Sequence, residues 1–149
     1  MVLELDYDRS LLGKDHRAGP IEVTKELIQD FCKAIGETNP IYTDEEEARK
    51  AGYPTVIAPP TLCTIFLRRV IIPDIRLNFG KARFHAGQVV EPIAPIMAGD
   101  SLMASSYLKE VYPKTGRSGT MVFIVWATTF TNQRGETVAE VQESYAARE

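Results

Sequence analysis

Only a few side chains of this 149-residue chain could perform acid–base chemistry. His16 and His85 are its only histidines, so any scheme that relies on an imidazole within this chain must use one of them. His85 lies in the stretch FHAGQ, where a hydrogen bond to a backbone carbonyl beside a kink at Gly87 would explain it without chemistry. His16 lies in the polar stretch GKDHRAG, which is typical of a solvated loop.

The sequence offers no clear nucleophile or metal site. Cys32 and Cys63 both fall in apolar helical patterns, where a thiol usually acts as a small buried hydrophobic group. No cluster of Cys, His and Asp has the spacing of metal ligands, and no glycine-rich loop follows a strand as nucleotide-binding folds require. We therefore expect no metal and no nucleotide cofactor.

Composition narrows the possible functions. The chain has 17 basic and 20 acidic residues, for a net charge of -3, and no basic tract that could follow a phosphate backbone. Nucleic acid is therefore not an expected partner. No segment resembles a signal peptide or reaches the ~18 apolar residues of a membrane span, so we expect a cytoplasmic protein without membrane contact. The length suits one domain, residues 1–149, with its own core.

Three helices are predicted in the first half. Thr24 can cap a helix that ends at Gly36 and has apolar residues on one face, namely Leu27, Ile28, Phe31, Ala34 and Ile35. Thr43 followed by Glu46 forms a capping box, which predicts a short surface helix. The segment Pro60–Ile72 begins with prolines and is apolar at nearly every position, which predicts a helix that is buried nearly all round.

The second half favours strands, because β-branched and aromatic residues occur there in long runs separated by glycine-containing turns. The connections MAGD, PKTGRSG and NQRG are short, so neighbouring strands must be antiparallel. Strands of this length suit a strongly curved sheet wrapped around the apolar helix. The chain is therefore predicted to be an α+β unit with strands at about 82–91, 101–112, 120–132 and 136–147.

Two stretches carry a resemblance to a known family. AIGETNPIYTDEEEARKAGYPTVIAPPT and FHAGQVVEPIAPIMAGDSL resemble the MaoC-like hydratases and dehydratases, and more closely their FAS1-like dehydratase domain, across roughly Leu12 to Arg148. The resemblance implies the hotdog fold, a curled antiparallel sheet around a long central helix. It also implies hydration or dehydration of the 2,3 bond of an acyl-CoA or acyl-carrier thioester, without a cofactor.

The chain departs from the pattern of active members at three positions. Their signature is Gly-Asp-x-Asn-Pro-x-His, in which the Asp and His share acid–base work, followed by a glycine whose N–H binds the thioester oxygen. Here Gly36, Asn39 and Pro40 match, but Glu37 replaces the Asp and Tyr42 replaces the His. The central helix is preceded by Pro59-Pro60 rather than His-Gly, and proline has no N–H to donate.

These departures suggest a protein without catalytic residues of its own. The resemblance implies a substrate-shaping subunit that pairs with a catalytic MaoC-like hotdog chain in a heterodimer or a dimer of heterodimers. Two alternatives remain open: a weakly active homodimeric hydratase or thioesterase that uses Glu37 or His85, and an acyl-CoA-binding module without turnover. In each case the expected substrate-binding residues are Glu37, Asn39, Tyr42, Ala58, Pro60, Thr61, His85, Gly87 and Gln88.

Other polar residues receive lesser roles. Asp100, in AGDSL, is expected to be structural at the entry to a strand. Scattered basic residues could contact the phosphates of CoA or phosphopantetheine, although such residues more often solvate a surface. They are Arg68, Arg69, Lys81 and Arg83.

Overall fold

The computed structural model describes residues 3–149, so the first two residues of the predicted domain lie outside the described part. The described chain forms five strands and two α-helices: β1 (His16–Glu22), α1 (Lys25–Ile35), α2 (Glu45–Lys50), β2 (Ala82–Pro92), β3 (Ser101–Gly116), β4 (Gly119–Thr131) and β5 (Thr137–Arg148). Three 3₁₀ segments complete it: Arg9–Leu11, Pro40–Tyr42 and Leu62–Arg69. None of its helices is long and apolar enough to cross a membrane.

All five strands pair antiparallel in one sheet, in the order β1-β3-β4-β5-β2. The four predicted strands are present, which confirms the α+β hotdog arrangement of a curled antiparallel sheet. β1 was not predicted, because a bulge between Ala18 and Ile21 breaks its alternation and only Ile21 is buried. Gly19 permits this bulge, since a Cβ there would lie 2.8 Å from the Leu102 carbonyl oxygen.

The connection between β3 and β4 is shorter than the predicted loop PKTGRSG. The two strands continue pairing as far as Gly116 and Gly119. Pro113 does not interrupt the ladder, because β1 pairs only with residues 101–106 of β3 and leaves the other side of Pro113 unpaired. The predicted connection was therefore short, as expected, but β3 and β4 extend further into it than predicted and form a long two-stranded hairpin.

The first predicted helix is present as α1, directly before the motif GETNPIY. The Thr24 hydroxyl accepts a hydrogen bond from the Leu27 N–H at 3.0 Å, and Gly36 ends α1 with a left-handed φ of 73°. Ile28 and Cys32 are buried against the sheet. Both ends of α1 are thus fixed by local sequence, and its last residue delivers the chain to the candidate site.

The second helix is present, but its cap is different. The Asp44 carboxylate accepts hydrogen bonds from the N–H groups of Glu46 and Glu47, at 2.9 and 3.3 Å. Thr43 cannot serve as the predicted cap because it closes the preceding 3₁₀ turn, where its N–H bonds to the Pro40 carbonyl. The predicted cap was therefore wrong by one residue, and the Asp44 N–H bonds to the Pro40 carbonyl instead of to a glutamate side chain as in a capping box.

The central helix differs most from expectation. It is a 3₁₀ helix confined to Leu62–Arg69 rather than a long helix over Pro60–Ile72, and the chain becomes extended at Val70. It buries one side, with Leu62, Cys63 and Phe66, whereas Ile65 is 41% exposed and Ile71 is 89% exposed. The prediction of burial nearly all round was wrong.

A second stretch of chain shares the task of covering the sheet. Ile75 and Leu77, which follow the central 3₁₀ helix, are buried against Trp126 and Val122. The inner face of the sheet therefore carries two clusters: one beneath α1 and the central 3₁₀ helix, and another beneath the segment 73–79. The short helix suffices because this second segment covers the remainder.

The Thr24 cap can be tested by mutation. Thr24→Ala removes the acceptor for the Leu27 N–H and should lower the free energy of unfolding by about 1 kcal/mol. Thr38→Ala, an exposed threonine outside any helix, is the matched control and should change stability little. Urea unfolding followed by circular dichroism measures both, and equal effects would show that the cap does not stabilise α1.

Candidate functional site

The motif GETNPIY forms a tight loop whose own side chains accept hydrogen bonds from its backbone N–H groups. The Glu37 N–H donates to the Cys32 carbonyl at 2.9 Å, and the Glu37 carboxylate accepts the Asn39 N–H at 3.0 Å. The Asn39 side chain in turn accepts the Ile41 N–H at 3.2 Å and so caps the 3₁₀ turn that ends at Tyr42. The carboxylate at the position of the family's aspartate is therefore turned onto its own loop.

The Tyr42 phenol sits partly buried at the end of this loop. Burial raises the pKa of Tyr42, and the negative charge of Glu37 raises it further. Tyr42 is consequently neutral at physiological pH, so its hydroxyl can donate a hydrogen bond but is a poor proton acceptor. A neutral hydrogen-bond donor therefore lies where the resemblance implies a histidine base.

Tyr42 opens onto a cavity of about 340 Å³, within the usual size range of small-molecule sites. Four separate segments contribute its walls: the 3₁₀ turn, the loop before the central 3₁₀ helix, the loop after β2 and the start of β5. The lining residues are Ile41, Tyr42, Tyr53, Ile57, Ala58, Pro60, Pro92, Ile93, Ala94, Pro95, Ile96, Val138 and Ala139. The lining is thus largely aliphatic.

Backbone hydrogen bonds join the cavity walls. The Ala58 N–H donates to the Ile96 carbonyl at 2.7 Å, and the Ile57 N–H donates to the Ile41 carbonyl at 3.3 Å. On the opposite side, the Ile93 N–H donates to the Val138 carbonyl at 2.9 Å. These cross-links hold segments that are distant in sequence around one space.

Pro60 lines the cavity at the position where the resemblance implies a glycine whose N–H binds the thioester oxygen. It lacks an N–H, and its carbonyl accepts the Cys63 thiol at 3.6 Å. The nearby Leu62 N–H is already bonded to the Pro59 carbonyl at 2.9 Å. Thr61 makes no capping bond and does not line the cavity. Neither Pro60 nor Leu62 therefore offers a free N–H to a thioester oxygen.

His85 belongs to a second polar group on the β2–β5 pair. Its Nε2 lies 2.9 Å from a Glu143 carboxylate oxygen, which also accepts the Gln88 amide at 3.3 Å. The Tyr145 hydroxyl donates to the other Glu143 oxygen at 3.4 Å. We call His85, Gln88, Glu143 and Tyr145 the edge cluster. The strand is bulged before Gly87 as expected, but the histidine bonds a carboxylate rather than the expected backbone carbonyl.

The structure therefore divides the predicted site residues into two groups. Tyr42, Ala58 and Pro60 line the cavity, with Glu37, Asn39 and Thr61 beside them in the chain. Gly87 lies with His85 and Gln88 on β2, whose other end supplies the cavity residue Pro92. From Gln88 to Pro92 is four residues of strand, about 13 Å.

Several site residues were missed in the sequence analysis. Tyr53, Ile93 and Val138 reach the cavity only through tertiary pairing, and no local motif marks them. Glu143 could have been identified from the sequence, since it is an acidic residue that shares one face of β5 with Val141 and Tyr145. An inward acid of this kind requires a polar partner, which His85 provides.

The remaining candidates are structural. His16 is the first residue of β1, and its ring packs edge-on against Trp126 with 5.9 Å between the ring centroids. Its Nε2 is buried and has no hydrogen-bond partner in the described chain, so the solvated-loop prediction was wrong. Cys32 and Cys63 are buried as predicted, and burial raises the pKa of both thiols, that of Cys63 to about 11. Both therefore remain protonated, and neither is an activated nucleophile.

Arg83 and Asp100 also have local partners. The Arg83 guanidinium donates to the carbonyls of Leu77 and Phe79, at 3.1 and 2.8 Å, so it is occupied by backbone. The buried Asp100 carboxylate accepts the Met97 N–H and the Gln133 amide, as a structural role requires. Arg68, Arg69 and Lys81 are exposed. Within residues 3–149, no three His, Cys, Asp or Glu side chains are grouped to hold a metal ion.

The coupling of Glu37 to Tyr42 predicts a titration effect. Glu37→Gln removes the negative charge that disfavours the phenolate, so the pKa of Tyr42 should fall while burial keeps it above that of an exposed tyrosine. Ultraviolet titration of phenolate absorbance measures this, with Tyr42→Phe identifying the transition that belongs to Tyr42. An unchanged Tyr42 transition in Glu37→Gln would show that the two groups do not interact.

Comparisons with known proteins agree with this fold. The FAS1-like dehydratase domain region matches residues 10–141. A UPF0336 protein of Saccharopolyspora erythraea is 31% identical over 149 residues, which cover 97% of this chain and 93% of the relative.

Solved structures extend the comparison. A chain of the C-terminally truncated HadBC (3R-hydroxyacyl-ACP dehydratase) complex of Mycobacterium tuberculosis is similar at a TM-score of 0.73 and 25% identity, covering 94% of this chain and 99% of that chain. A chain of the ChsH1–ChsH2 complex of the same organism is similar at a TM-score of 0.67 and 22% identity, covering 90% of this chain and 82% of that chain. At this identity the similarity shows the fold alone. The chain therefore belongs to the FAS1-like dehydratase region of the MaoC-like hotdog dehydratases.

Proposed function

We propose that this protein is a non-catalytic, substrate-shaping subunit of an enoyl-thioester hydratase or 3-hydroxyacyl-thioester dehydratase. It acts with a hotdog partner that carries the working Asp and His. The observation that supports this most strongly is the neutral Tyr42 phenol, which occupies the position of the family's histidine and opens onto an apolar cavity.

The size of the chemical deficit supports the proposal. Losing a positioned acid–base group typically costs ~10²–10⁴ in rate, and losing one oxyanion donor costs about 10²–10³. Tyr42 and Pro60 stand at these two positions. A carboxylate lengthened by one methylene at Glu37 adds a displacement of ~1 Å, which can cost about 10² more. Even if these losses are not additive, the isolated chain retains little of an enzyme's advantage.

The cavity gives the subunit a positive role. Its aliphatic walls suit the acyl chain of a CoA or carrier-bound thioester, and its polar groups are few. A subunit that holds the acyl chain can place the 2,3 bond beside the catalytic residues of the partner, which contributes to rate through positioning.

The β2 edge is the proposed partner surface. β2 is the last strand of the sheet, so one side of its backbone ladder is unpaired within the described chain. Val89 is 64% exposed, and Phe84 and Ile93 are 42% and 51% exposed along or just beyond the same strand. A second hotdog chain could continue the sheet there and cover these side chains. The HadBC and ChsH1–ChsH2 complexes, each formed by two kinds of chain, support such pairing.

The accessory role is tested by hydration of crotonyl-CoA and longer enoyl-CoAs. The purified chain alone should show little or no turnover, and mixing it with a catalytic MaoC-like partner from a neighbouring gene should change the partner's rate or chain-length preference. Full activity of the chain alone would reject the accessory role. Acyl-CoA binding with no product in either arrangement would favour the alternative of a binding module.

The partner surface is tested separately. Val89→Arg places a charge on the exposed apolar edge and should abolish or strongly weaken association with the catalytic partner while leaving the fold intact. Tyr112→Arg, on β3 and 37% exposed, is the matched control. Size-exclusion chromatography with light scattering reports the complex. Normal assembly of Val89→Arg would exclude this edge as the interface.

A second candidate is a weakly active homodimer that performs hydration or thioester hydrolysis with Glu37 or His85. The hydrogen bond between His85 and Glu143 favours it, because a carboxylate 2.9 Å from Nε2 holds the imidazole ring in one orientation. Glu37→Ala and His85→Ala distinguish the candidates, since unchanged residual turnover in both variants would eliminate this alternative.

A further inference from the structure

We propose that two copies of this chain pair through the outer face of the sheet, the face opposite α1 and the central 3₁₀ helix. This face consists of alternate residues of β5 and the residues in register with them on β4, β3 and β2. Those of β5 are Glu140, Gln142, Ser144, Ala146 and Arg148. The inference goes beyond the proposed function, because face-to-face pairing leaves the β2 edge free for a catalytic partner.

The outer face carries a row of aromatic side chains. Phe84, Ala146, Phe123 and Tyr112 follow one another across four strands, because each pairs with the next in the sheet register. The rings of Tyr112 and Phe123 are stacked, with 5.3 Å between their centroids and 17° between their planes. Phe84 and Tyr112 remain exposed at the two ends of the row. A second surface that covered this row would remove apolar area from water.

The two ends of the outer face carry opposite charges. Lys114 and Arg148 are exposed and lie in the same row, at the end nearest the turn between β3 and β4. Glu91 and Glu140 are exposed and pair directly with each other at the opposite end. Within residues 3–149, none of these four side chains forms an ion pair. Like charges opposite each other destabilise a sheet, so opposite charges from another molecule would offset this repulsion.

The charge pattern is complementary to itself. On β5, Glu140 and Arg148 each lie four residues from Ser144, on opposite sides of it. A two-fold axis that runs across the strands at Ser144 would reverse the strand direction in the second copy. Glu140 of each copy would then face Arg148 of the other, so the same ion pair would form twice. This self-complementarity favours a second copy of the chain over an unrelated partner.

The shapes of the side chains fit the same arrangement. The aromatic row would lie opposite the row that contains Ala127, so that the large Phe123 meets a small residue on the other copy. Two sheets packed face to face cross at about 30°, which displaces the strands sideways. Because the acids Glu91 and Glu140 lie on neighbouring strands, Arg148 would still face an acid after such a displacement.

The size of the surface indicates how strongly the copies should associate. Four strands are about 19 Å wide, and the stretch from Glu140 to Arg148 is about 27 Å long, which gives on the order of 500 Å² per copy. A standard stable interface buries roughly 800 Å² per partner. We therefore expect a reversible dimer, half formed at roughly 10–100 μM protein.

Charge reversal on β5 tests the arrangement. Arg148→Glu and Glu140→Arg each place like charges at both contacts, so either variant alone should associate about 5- to 30-fold more weakly than the unmodified chain. An equimolar mixture of the two variants should associate as the unmodified chain does, because both contacts again join opposite charges. Sedimentation velocity on the full chain at low salt, over a range of concentrations, measures the three affinities.

Two further variants separate the outer face from other surfaces. Lys33→Glu, on α1 and therefore on the other side of the sheet, changes the net charge as Arg148→Glu does and should leave association unchanged. Tyr112→Arg places a charge in the aromatic row and should prevent face-to-face pairing. It should nevertheless still bind the catalytic partner through the β2 edge. Circular dichroism verifies that each variant is folded.

Three results would overturn the inference: a monomer at every concentration, self-association that Arg148→Glu does not weaken, or two charge variants that fail to pair with each other. Loss of binding to the catalytic partner in Tyr112→Arg would also overturn it, by assigning the outer face to that partner. None of these measurements involves turnover. Full activity of the isolated chain would therefore reject the accessory role and leave the pairing of the outer faces intact.

Discussion

The cavity depends on the backbone hydrogen bonds that tie the segment before the central 3₁₀ helix to the segment after β2. The Ala58 N–H bonds to the Ile96 carbonyl, and the Ala98 N–H returns a bond to the Val56 carbonyl. Asp100 anchors the far end of the second segment by accepting the Met97 N–H. Without this pairing the walls would be two exposed loops. With it, side chains from distant parts of the chain enclose one apolar space, and the motif loop closes a side of it.

This arrangement gives the motif a structural role that does not depend on proton transfer. Glu37 and Asn39 each accept an N–H of their own loop with a side-chain oxygen, so the motif shapes the wall to which Tyr42 belongs. The loop is needed for the cavity whether or not a proton is transferred there. A phenol at the position where the resemblance implies a histidine provides an aromatic wall and a neutral hydrogen-bond donor.

Local signals in the sequence predicted local structure well. The caps of α1 and the runs of β-branched and aromatic residues in β2 to β5 are properties of neighbouring residues, so they could be found without the fold. β1 was missed because its bulge at Gly19 breaks the alternation of buried and exposed residues. The central 3₁₀ helix was predicted too long and too buried, because a run that is apolar at nearly every position does not indicate which side is buried. The motif half of the site was likewise predictable. The other walls of the cavity were not, because strand pairing alone brings them there.

The central 3₁₀ helix connects the cavity to the proposed interface. Its eight residues rise about 16 Å and begin two residues after Pro60, which lines the cavity. Burial raises the pKa of Tyr145 in the edge cluster, and the positive charge of Arg68 near the other end of the helix offsets part of that rise. A partner that pairs with β2 would take the His85–Glu143 pair out of water, which is costly for ionised groups that lack partners. Glu143 already accepts from His85, Gln88 and Tyr145, so the cluster is satisfied before the partner arrives. The edge cluster can therefore be covered by the proposed partner at little electrostatic cost.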